Sequence, residues 1–304
     1  MSNMGKILVL QGGTSDEREV SLRSGANVAD YLTDSGYEVS LLDPSASDFN
    51  LAEACKDVQA VLPMLHGVGG EDGVLQRQLE ALKVPFLGSG SQACELTFDK
   101  KAYRDFVIKQ GVQMAKGEVV NAKQFEASEL RKSSYVLKPI DGGSSIDTLL
   151  VHNVAQEPTG QLPVLFEKYS TMLLEELIVG QELTVGVLGD EALPIIHIIP
   201  PTGEEFDYEN KYNGRTAEIV NPTDVSQDVQ KRAQGLALEL HHLTGCRHLS
   251  RSDMIATPSG EMYVLETNTI PGMTAQSLFP KMAAAAGIDM PALVKRFVEM
   301  ATEV

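Results

Sequence analysis

A short apolar run, Lys6 to Leu10, cut off at once by Gly12-Gly13, constrains the fold more than any other feature of this chain. Five apolar or amphipathic residues stopped by glycine suit a strand buried on both faces. Thr14-x-x-Glu17 then has the pattern of a capping box, and Val20, Leu22, Ala26, Ala29 and Leu32 follow at roughly helical spacing. Gly36 closes that helix, and Glu38–Leu42 and Val58–Leu65 repeat the strand signal. A glycine-rich loop over 67–73, a helix to about Leu82 and a short strand at Pro85–Leu87 complete the pattern. Strands alternating with helices predict a parallel sheet with helices on both faces, ending near residue 97.

Past that point the regime changes. A helix around Phe98–Gly111 leads into strand patterns at Tyr135–Pro139, Thr148–His152, Leu173–Leu177 and Leu183–Leu188. Further strands are predicted at Leu193–Ile199, Leu249–Ala256 and Met262–Glu266, with a helix near Gln227–Leu243 and a helical C-terminus. A chain of 304 residues holds two or three domains. We divide it into an N-terminal α/β unit (1–97), a small central α+β unit (98–176) and a C-terminal unit (177–304).

The charge of −17 argues against a general nucleic-acid binder and against anionic membrane surfaces, both of which need a basic face. It leaves room for a phosphate ligand, because a few lysines can dominate one cleft. Cys55, Cys94 and Cys246 are odd in number and in no CxxC pair, which fits a reducing compartment. No signal-peptide pattern and no membrane-spanning apolar run can be read, so a cytoplasmic location is expected.

The opening loop Gln11-Gly12-Gly13-Thr14-Ser15 lacks GxGxxG spacing, so Asp43 after the second strand is a weak ribose acid, and no P-loop is present. Locally, Glu17 reads as a capping-box acid. His66 and the glycines up to Gly73 lie at the carboxyl end of the third strand, where open α/β sheets place ligands. There His66 is either a cleft donor or a turn residue, and Glu71 and Asp72 either face a ligand or start the next helix. Lys138 sits inside an apolar strand and needs a partner, while Gly142-Gly143-Ser144-Ser145 can close over phosphates. Lys100 and Lys211 can add cations to the same group.

The sharpest local signal is Arg251-Ser-Asp253 and Glu266-Thr-Asn268 on either side of Pro258-Ser259. A tight turn there puts residues opposite when their numbers sum to 517, so Arg251 faces Glu266 with Asp253 diagonal. Asn268 shares the face. Two carboxylates and an amide oxygen are hard ligands suited to Mg²⁺. The plainer alternative, an Arg251–Glu266 salt bridge, leaves Asp253 and Asn268 unexplained.

These residues resemble a known family. Gly12-Gly13-Thr14-Ser15 with Glu17-Arg18-Glu19-Val20-Ser21, Leu65-His66-Gly67 with Gly70-Glu71-Asp72-Gly73, Gly88-Ser89-Gly90, Asp99-Lys100, Lys138-Pro139 with Gly143-Ser144-Ser145, and Glu266-x-Asn268-x-x-Pro271-Gly272-Met273-Thr274 are similar to the D-alanine–D-alanine ligases of the ATP-grasp superfamily. Order and spacing are kept over nearly the whole chain. The resemblance implies a three-domain ATP-grasp architecture and ATP-dependent joining of two D-alanines for peptidoglycan precursors, through an acyl phosphate. It implies that Lys100, Lys138, Ser145 and Lys211 contact ATP phosphates, that Glu175, Glu176, Leu177 and Ile178 form the adenine hinge, and that Glu182 holds the ribose. Asp253, Glu266 and Asn268 match positions for two Mg²⁺ ions, with Mn²⁺ as a substitute. Glu17 would bind the first ammonium and His66 would lie near the first carboxylate. Arg251 and the Gly272 N–H would stabilise the oxyanion, and Ser277 and the Leu278 N–H would take the second carboxylate. Ser144 and Tyr212 would link the central loop to segment Asn210–Pro222 and close the site, with Tyr212 favouring an amide product over an ester. A homodimer is expected by the same analogy. The chain departs from the family pattern at Asp141-Gly142, at Glu176, where a lysine is common, and at Ser252, usually apolar. Another ATP-grasp carboxylate–amine ligase is the main alternative; a degenerate nucleotide-binding module would show a lost metal ligand, and none is lost.

Overall fold

In the computed structural model, which describes residues 5–201 and 215–303, the first 100 residues begin with β1 (Lys6–Leu10), α1 (Arg18–Asp34), β2 (Glu38–Leu42), α2 (Leu51–Ala54), β3 (Ala60–Pro63), α3 (Val74–Leu82) and α4 (Ser91–Phe98). There follow α5 (Lys100–Lys109), β4 (Gly117–Val120), α6 (Ala122–Ala127), β5 (Tyr135–Pro139), β6 (Leu149–Val151), α7 (Leu162–Lys168) and β7 (Met172–Glu176). The remainder holds β8 (Gln181–Leu188), β9 (Glu191–Ala192), β10 (Ile196–Ile199), β11 (Ala217–Val220), α8 (Gln227–Leu243), β12 (Leu249–Ala256), β13 (Met262–Asn268), α9 (Leu278–Ala285) and α10 (Met290–Thr302).

Three sheets organise these elements. The first is parallel, in the order β2-β1-β3, and Val61 of β3 adds a parallel bridge to Phe86, where the sequence predicts a short strand. Successive residues point to opposite layers. Ile7, Val9, Ala60 and Leu62 pack with Val28 and Leu32 of α1, and Leu8, Leu10 and Val61 with Leu75 and Leu79 of α3. The layer on the α1 side also takes Phe279 and Met282 from α9 and Leu293 and Phe297 from α10, so the end of the chain returns to cover its beginning. The second sheet, antiparallel in the order β4-β7-β5-β6, packs on Phe125 of α6 and Leu162 and Leu165 of α7. The third runs β11-β10-β8-β12-β13, with β9 paired to β8, and α8 covers Leu183, Val185 and Met254 through Ala233 and Ala237.

The capping-box expectation at Thr14 and Glu17 is not met. Helix α1 starts at Arg18, Glu17 occupies its N-cap, and the Glu17 side chain makes no capping bond. Ser15 takes over the local role: its Oγ accepts from Glu17 N at 3.2 Å and donates to the His66 carbonyl at 2.6 Å. The Glu17 carboxylate points away from its own helix, towards Ser144 Oγ. Asp43 is structural. It pairs with Arg18 at 2.6 Å and accepts from Gly13 N at 3.0 Å, and a Cβ at Gly12 would lie 2.4 Å from its Oδ2. Although burial works to raise it, Arg18 and the Gly13 N–H hold the Asp43 carboxyl well below the usual range.

The β12–β13 hairpin also corrects its predicted register. Its loop has three residues, Pro258-Ser259-Gly260, closed by Thr257 N to Glu261 O, with Gly260 at φ +87°. Such a loop needs a left-handed residue at its end, which glycine supplies without strain. It moves the pairing sum from 517 to 518, as in Ala256 opposite Met262. A bulge between Asp253 and Met254 adds one more, so Arg251 faces Asn268 and Asp253 faces Glu266. Two single-residue offsets cancel in parity. Arg251, Asp253, Glu266 and Asn268 therefore share one face although the predicted partners were wrong.

Candidate active site

Two cavities open along this hairpin and meet at Glu266 and Gly143, which line both. The larger, about 730 Å³, lies between the first and third sheets and is lined by Glu17, His66, Ser144, Arg251, Gly272 and Ser277 among others. The smaller, about 460 Å³, lies between the second and third sheets. Its walls include Lys100, Lys138, Ser145, Glu182 and the run Glu175–Ile178. Predicted site residues thus fall into two groups that share a border. Lys211 and Tyr212 lie outside the described residues.

In the larger cavity the buried Glu17 carboxylate accepts from Ser144 Oγ, which ties the β5–β6 loop to the N-terminus of α1. That loop is sharply bent. Gly142, Ser144, Ser145 and Asp147 all have left-handed φ, and a Cβ at Gly143 would lie 2.6 Å from Glu17 Oε2. His66 is buried, with Nδ1 3.1 Å from the Ile270 carbonyl and Nε2 3.3 Å from Ser24 Oγ. A carbonyl only accepts, so Nδ1 carries the proton and Nε2 accepts from Ser24. Burial pushes the ring's pKa down to about 4, which keeps this neutral tautomer in place. Ser277 is the N-cap residue of α9, and its Oγ accepts from Thr274 N at 3.0 Å and contacts Thr274 Oγ1. Leu278 opens α9 on the cavity wall, where the helix terminus offers N–H groups to an anion. A Cβ at Gly272 would lie 2.8 Å from Ser277 Oγ, so only glycine fits there without a shift.

In the smaller cavity Lys138 finds the partner that its apolar strand demanded. Its Nζ lies 2.6 Å from Glu175 Oε2, and Glu175 Oε1 lies 2.9 Å from Arg104 on α5. The Glu175 side chain therefore orients cations and does not face the cavity as a lone acceptor. Glu176 accepts from Lys116 N at 2.9 Å. Lys100 Nζ donates to the Gly142 carbonyl. Burial pushes the Lys100 ammonium below its ordinary range against the pull of Glu266, and Lys138 adds to the lowering. A ligand carrying several negative charges would relieve Lys100.

Along the border, Arg251 binds Asp253 of its own strand, Nε to Oδ1 at 2.9 Å and Nη2 to Oδ2 at 2.8 Å, and not Glu266 as the plainer alternative had it. Thr184 Oγ1 donates to Asp253 Oδ1 at 2.5 Å, and Asn268 Nδ2 to Glu266 Oε1 at 3.3 Å. Among the described residues no three His, Cys, Asp or Glu side chains form a metal cage. An oxygen set of two carboxylates and one amide is what a cation that keeps waters and phosphate ligands requires. A carboxylate has roughly four lone-pair positions, of which three on Asp253 are used, so the donor chemistry fits one further bond to a hard cation.

Sequence reasoning missed Thr184, Arg104 and Ser24, for which periodicity carries no signal. It left Glu71 open as a helix starter. Asp72 does that, accepting from Val74 N at 3.1 Å, whereas Glu71 is turned inward and accepts from Gly67 N at 2.9 Å and Ile270 N at 3.4 Å. Burial and the nearby Glu17 push the Glu71 carboxyl up to about 8.

A model of the family described as "D-ala D-ala ligase C-terminus" matches residues 106–299. The D-alanine–D-alanine ligase of Methylobacterium radiotolerans is 39% identical over 303 residues, covering 97% of this chain and 98% of its own. That of Sphingopyxis alaskensis is 37% identical over 306 residues, covering 97% of each. The crystal structure of the Bacillus anthracis D-alanine–D-alanine ligase complexed with ATP superposes with a TM-score of 0.84 at 29% identity, covering 98% of this chain and 97% of that one.

Proposed function

The chain belongs to the D-alanine–D-alanine ligase family, and from that premise we propose that it uses ATP to join two D-alanines into D-alanyl-D-alanine for peptidoglycan synthesis. One observation carries the reading: a cavity with a buried carboxylate, a guanidinium and a glycine N–H meets, at Glu266, a second cavity with two lysines. The three sheets support the division into units 1–97, 98–176 and 177–304. We place ATP in the smaller cavity, with adenine against Glu175–Ile178, ribose at Glu182 and phosphates at Lys100, Lys138, Ser145 and Lys211.

The first D-alanine sits in the larger cavity with its ammonium at Glu17 and its carboxylate near His66 and Arg251. A carboxylate oxygen attacks the γ-phosphorus, the bond to the β-phosphate oxygen breaks, and ADP leaves. The amine of the second D-alanine, whose carboxylate is held by Ser277 and the Leu278 N–H, attacks the acyl phosphate. Arg251 and the Gly272 N–H balance the oxyanion, phosphate departs and the nitrogen loses its proton. Asp253, Glu266 and Asn268 would hold Mg²⁺ or Mn²⁺, which when bound supplies charge neutralisation between two anions. The lysines and Arg251 act in the same sense. Ser144, through Glu17, holds the loop over the reacting groups, and Tyr212 would extend that link.

Free, buried Cys55, Cys94 and Cys246 support a reducing, cytoplasmic setting, and among the described residues no helix is long and apolar enough to cross a membrane. A homodimer is the assembly we expect. The test is purified protein with ATP, Mg²⁺ and a panel of D- and L-amino acids and D-lactate, following phosphate release and product mass. D-Alanyl-D-alanine formed only with ATP supports the reading. A different ligated pair would move the chain to another carboxylate–amine ligase activity.

A further inference from the structure

Gly272 lies in the middle of a short loop that leaves β13, and the residues on either side of it are gripped by groups from the N-terminal unit. At Ile270 the carbonyl faces His66 Nδ1 at 3.1 Å and the N–H donates to Glu71 Oε1 at 3.4 Å. At Met273 the N–H donates to Ser24 Oγ at 3.1 Å and the carbonyl accepts from Asn27 Nδ2 at 2.7 Å. Ser24 Oγ also reaches His66 Nε2 at 3.3 Å, which joins the two grips. Both polar groups of each flanking residue are therefore held, and all four partners belong to α1 or to the loop after β3. With Nδ1 protonated and Nε2 accepting, every donor meets an acceptor around the circuit from the Ile270 carbonyl to the Met273 N–H. A preorganised donor contributes to oxyanion stabilisation only if it needs no rearrangement when charge develops.

We propose that Ser24, Asn27, His66 and Glu71 form a clamp through which the N-terminal, substrate-holding unit fixes the direction of the Gly272 N–H. This rests on the ligase reading for its effect on turnover, though not for its effect on the loop. Ser24, Asn27 and Glu71 are positioning residues, acting through the loop backbone. The arrangement links the first-substrate pocket to the oxyanion donor, since His66 and Glu71 line that pocket as well.

Two substitutions probe the Met273 grip. Asn27→Asp keeps the size of a half-buried side chain but turns an acceptor towards the Met273 carbonyl. Ser24→Ala removes the hydroxyl that joins the grips. In the full-length protein we expect each to lower kcat for dipeptide at least tenfold while KM for ATP stays within about twofold. Amide exchange in the peptide spanning residues 270–273 should quicken, with exchange in β4–β7 unchanged. The double variant should lose little more than the worse single one, because both break one clamp. Unchanged exchange in 270–273 would overturn the clamp whether or not the wild type makes dipeptide. Losses that multiply in the double variant, or a kcat that stays level while the loop loosens, would overturn its link to catalysis. A wild-type protein that makes no dipeptide counts against the ligase reading alone, because the exchange measurement still decides the clamp.

Discussion

At the scale of single residues, the site is built from charges that have been given partners before any substrate arrives. Glu17 is the clearest case. Its side chain makes no capping bond to its own helix, so Glu17→Gln should leave the melting temperature nearly unchanged and raise KM for the first D-alanine sharply; an unchanged KM would return it to a structural role. Glu266→Gln keeps shape and removes one charge between the two cavities. Turnover should fall by orders of magnitude, about 3 kcal/mol or more of transition-state stabilisation, with circular dichroism unchanged. Near-native turnover would remove Glu266 from the proposed cation site. Neither result was readable from local pattern alone, since a carboxylate near a helix start or on a strand has an ordinary structural use.

At the scale of elements, the β12–β13 hairpin decides whether the ligand set exists at all. Its bulge restores the parity that its three-residue loop would otherwise break. Deleting Leu265, the extra residue of the bulge, would let β13 pair without interruption, leaving Glu266 opposite Asp253 and Asn268 opposite Arg251 with all four on one face. We expect that variant to keep ATP binding and dipeptide formation; loss of both with the β-sheet signal intact would show that the twist of the bulge itself, and not only the shared face, positions the set. Helix α5 makes a similar connection. It carries Lys100 at its start, is capped by Asp99 through Lys101 N and Ala102 N, and one turn on places Arg104 against Glu175. One helix thus sets both Lys100 on the wall of the smaller cavity and, through Arg104, the carboxylate that orients Lys138.

For the whole molecule, helices α9 and α10 closing the first sheet mean that the N-terminal unit does not complete its core without residues about 280 positions further on. Phe297 is fully buried in that layer. Phe297→Ala should cost ~3–5 kcal/mol in denaturant unfolding and weaken binding of the first D-alanine, whose proposed pocket stands on the same sheet. Stability should also peak near neutrality. His66, His241 and His248 are each pushed down to about 4 by burial, so between pH 6.5 and 4 the unfolded chain takes up protons that the fold refuses, and stability falls on acidification. Glu71, pushed up to about 8, has the opposite sign: from about pH 4.5 to 8 the fold holds a proton that the unfolded chain has lost, so stability falls as pH rises. The melting temperature should therefore be highest near pH 6.5, and Glu71→Gln should flatten the alkaline side. A profile unchanged by that substitution would show that Glu71 does not titrate in this window.

What the sequence determined by itself was whatever depends on near neighbours in the chain or on a repeated motif. The apolar run at Lys6–Leu10 and its glycine stop specified a buried strand, and the spacing over Gln227–Leu243 specified a helix. Period-two alternation put Arg251 with Asp253 on one face of their strand and Glu266 with Asn268 on one face of theirs, while the loop and bulge that bring the two pairs together were decided in the folded hairpin. The glycine and lysine motifs, taken in order, were enough to indicate the family. Short elements without strong periodicity, such as β4 and α4, were not legible, because four to eight residues carry too little pattern to separate strand, helix and loop. The pairing of Arg251 with Asp253, the grip of Glu71 and Asn27 on the Ile270–Met273 loop and the return of α10 to the first sheet were decided only in the folded chain. The last two join groups whose partners are set by packing across units, and hydrogen bonds spanning 246 and 199 positions leave no trace in local spacing.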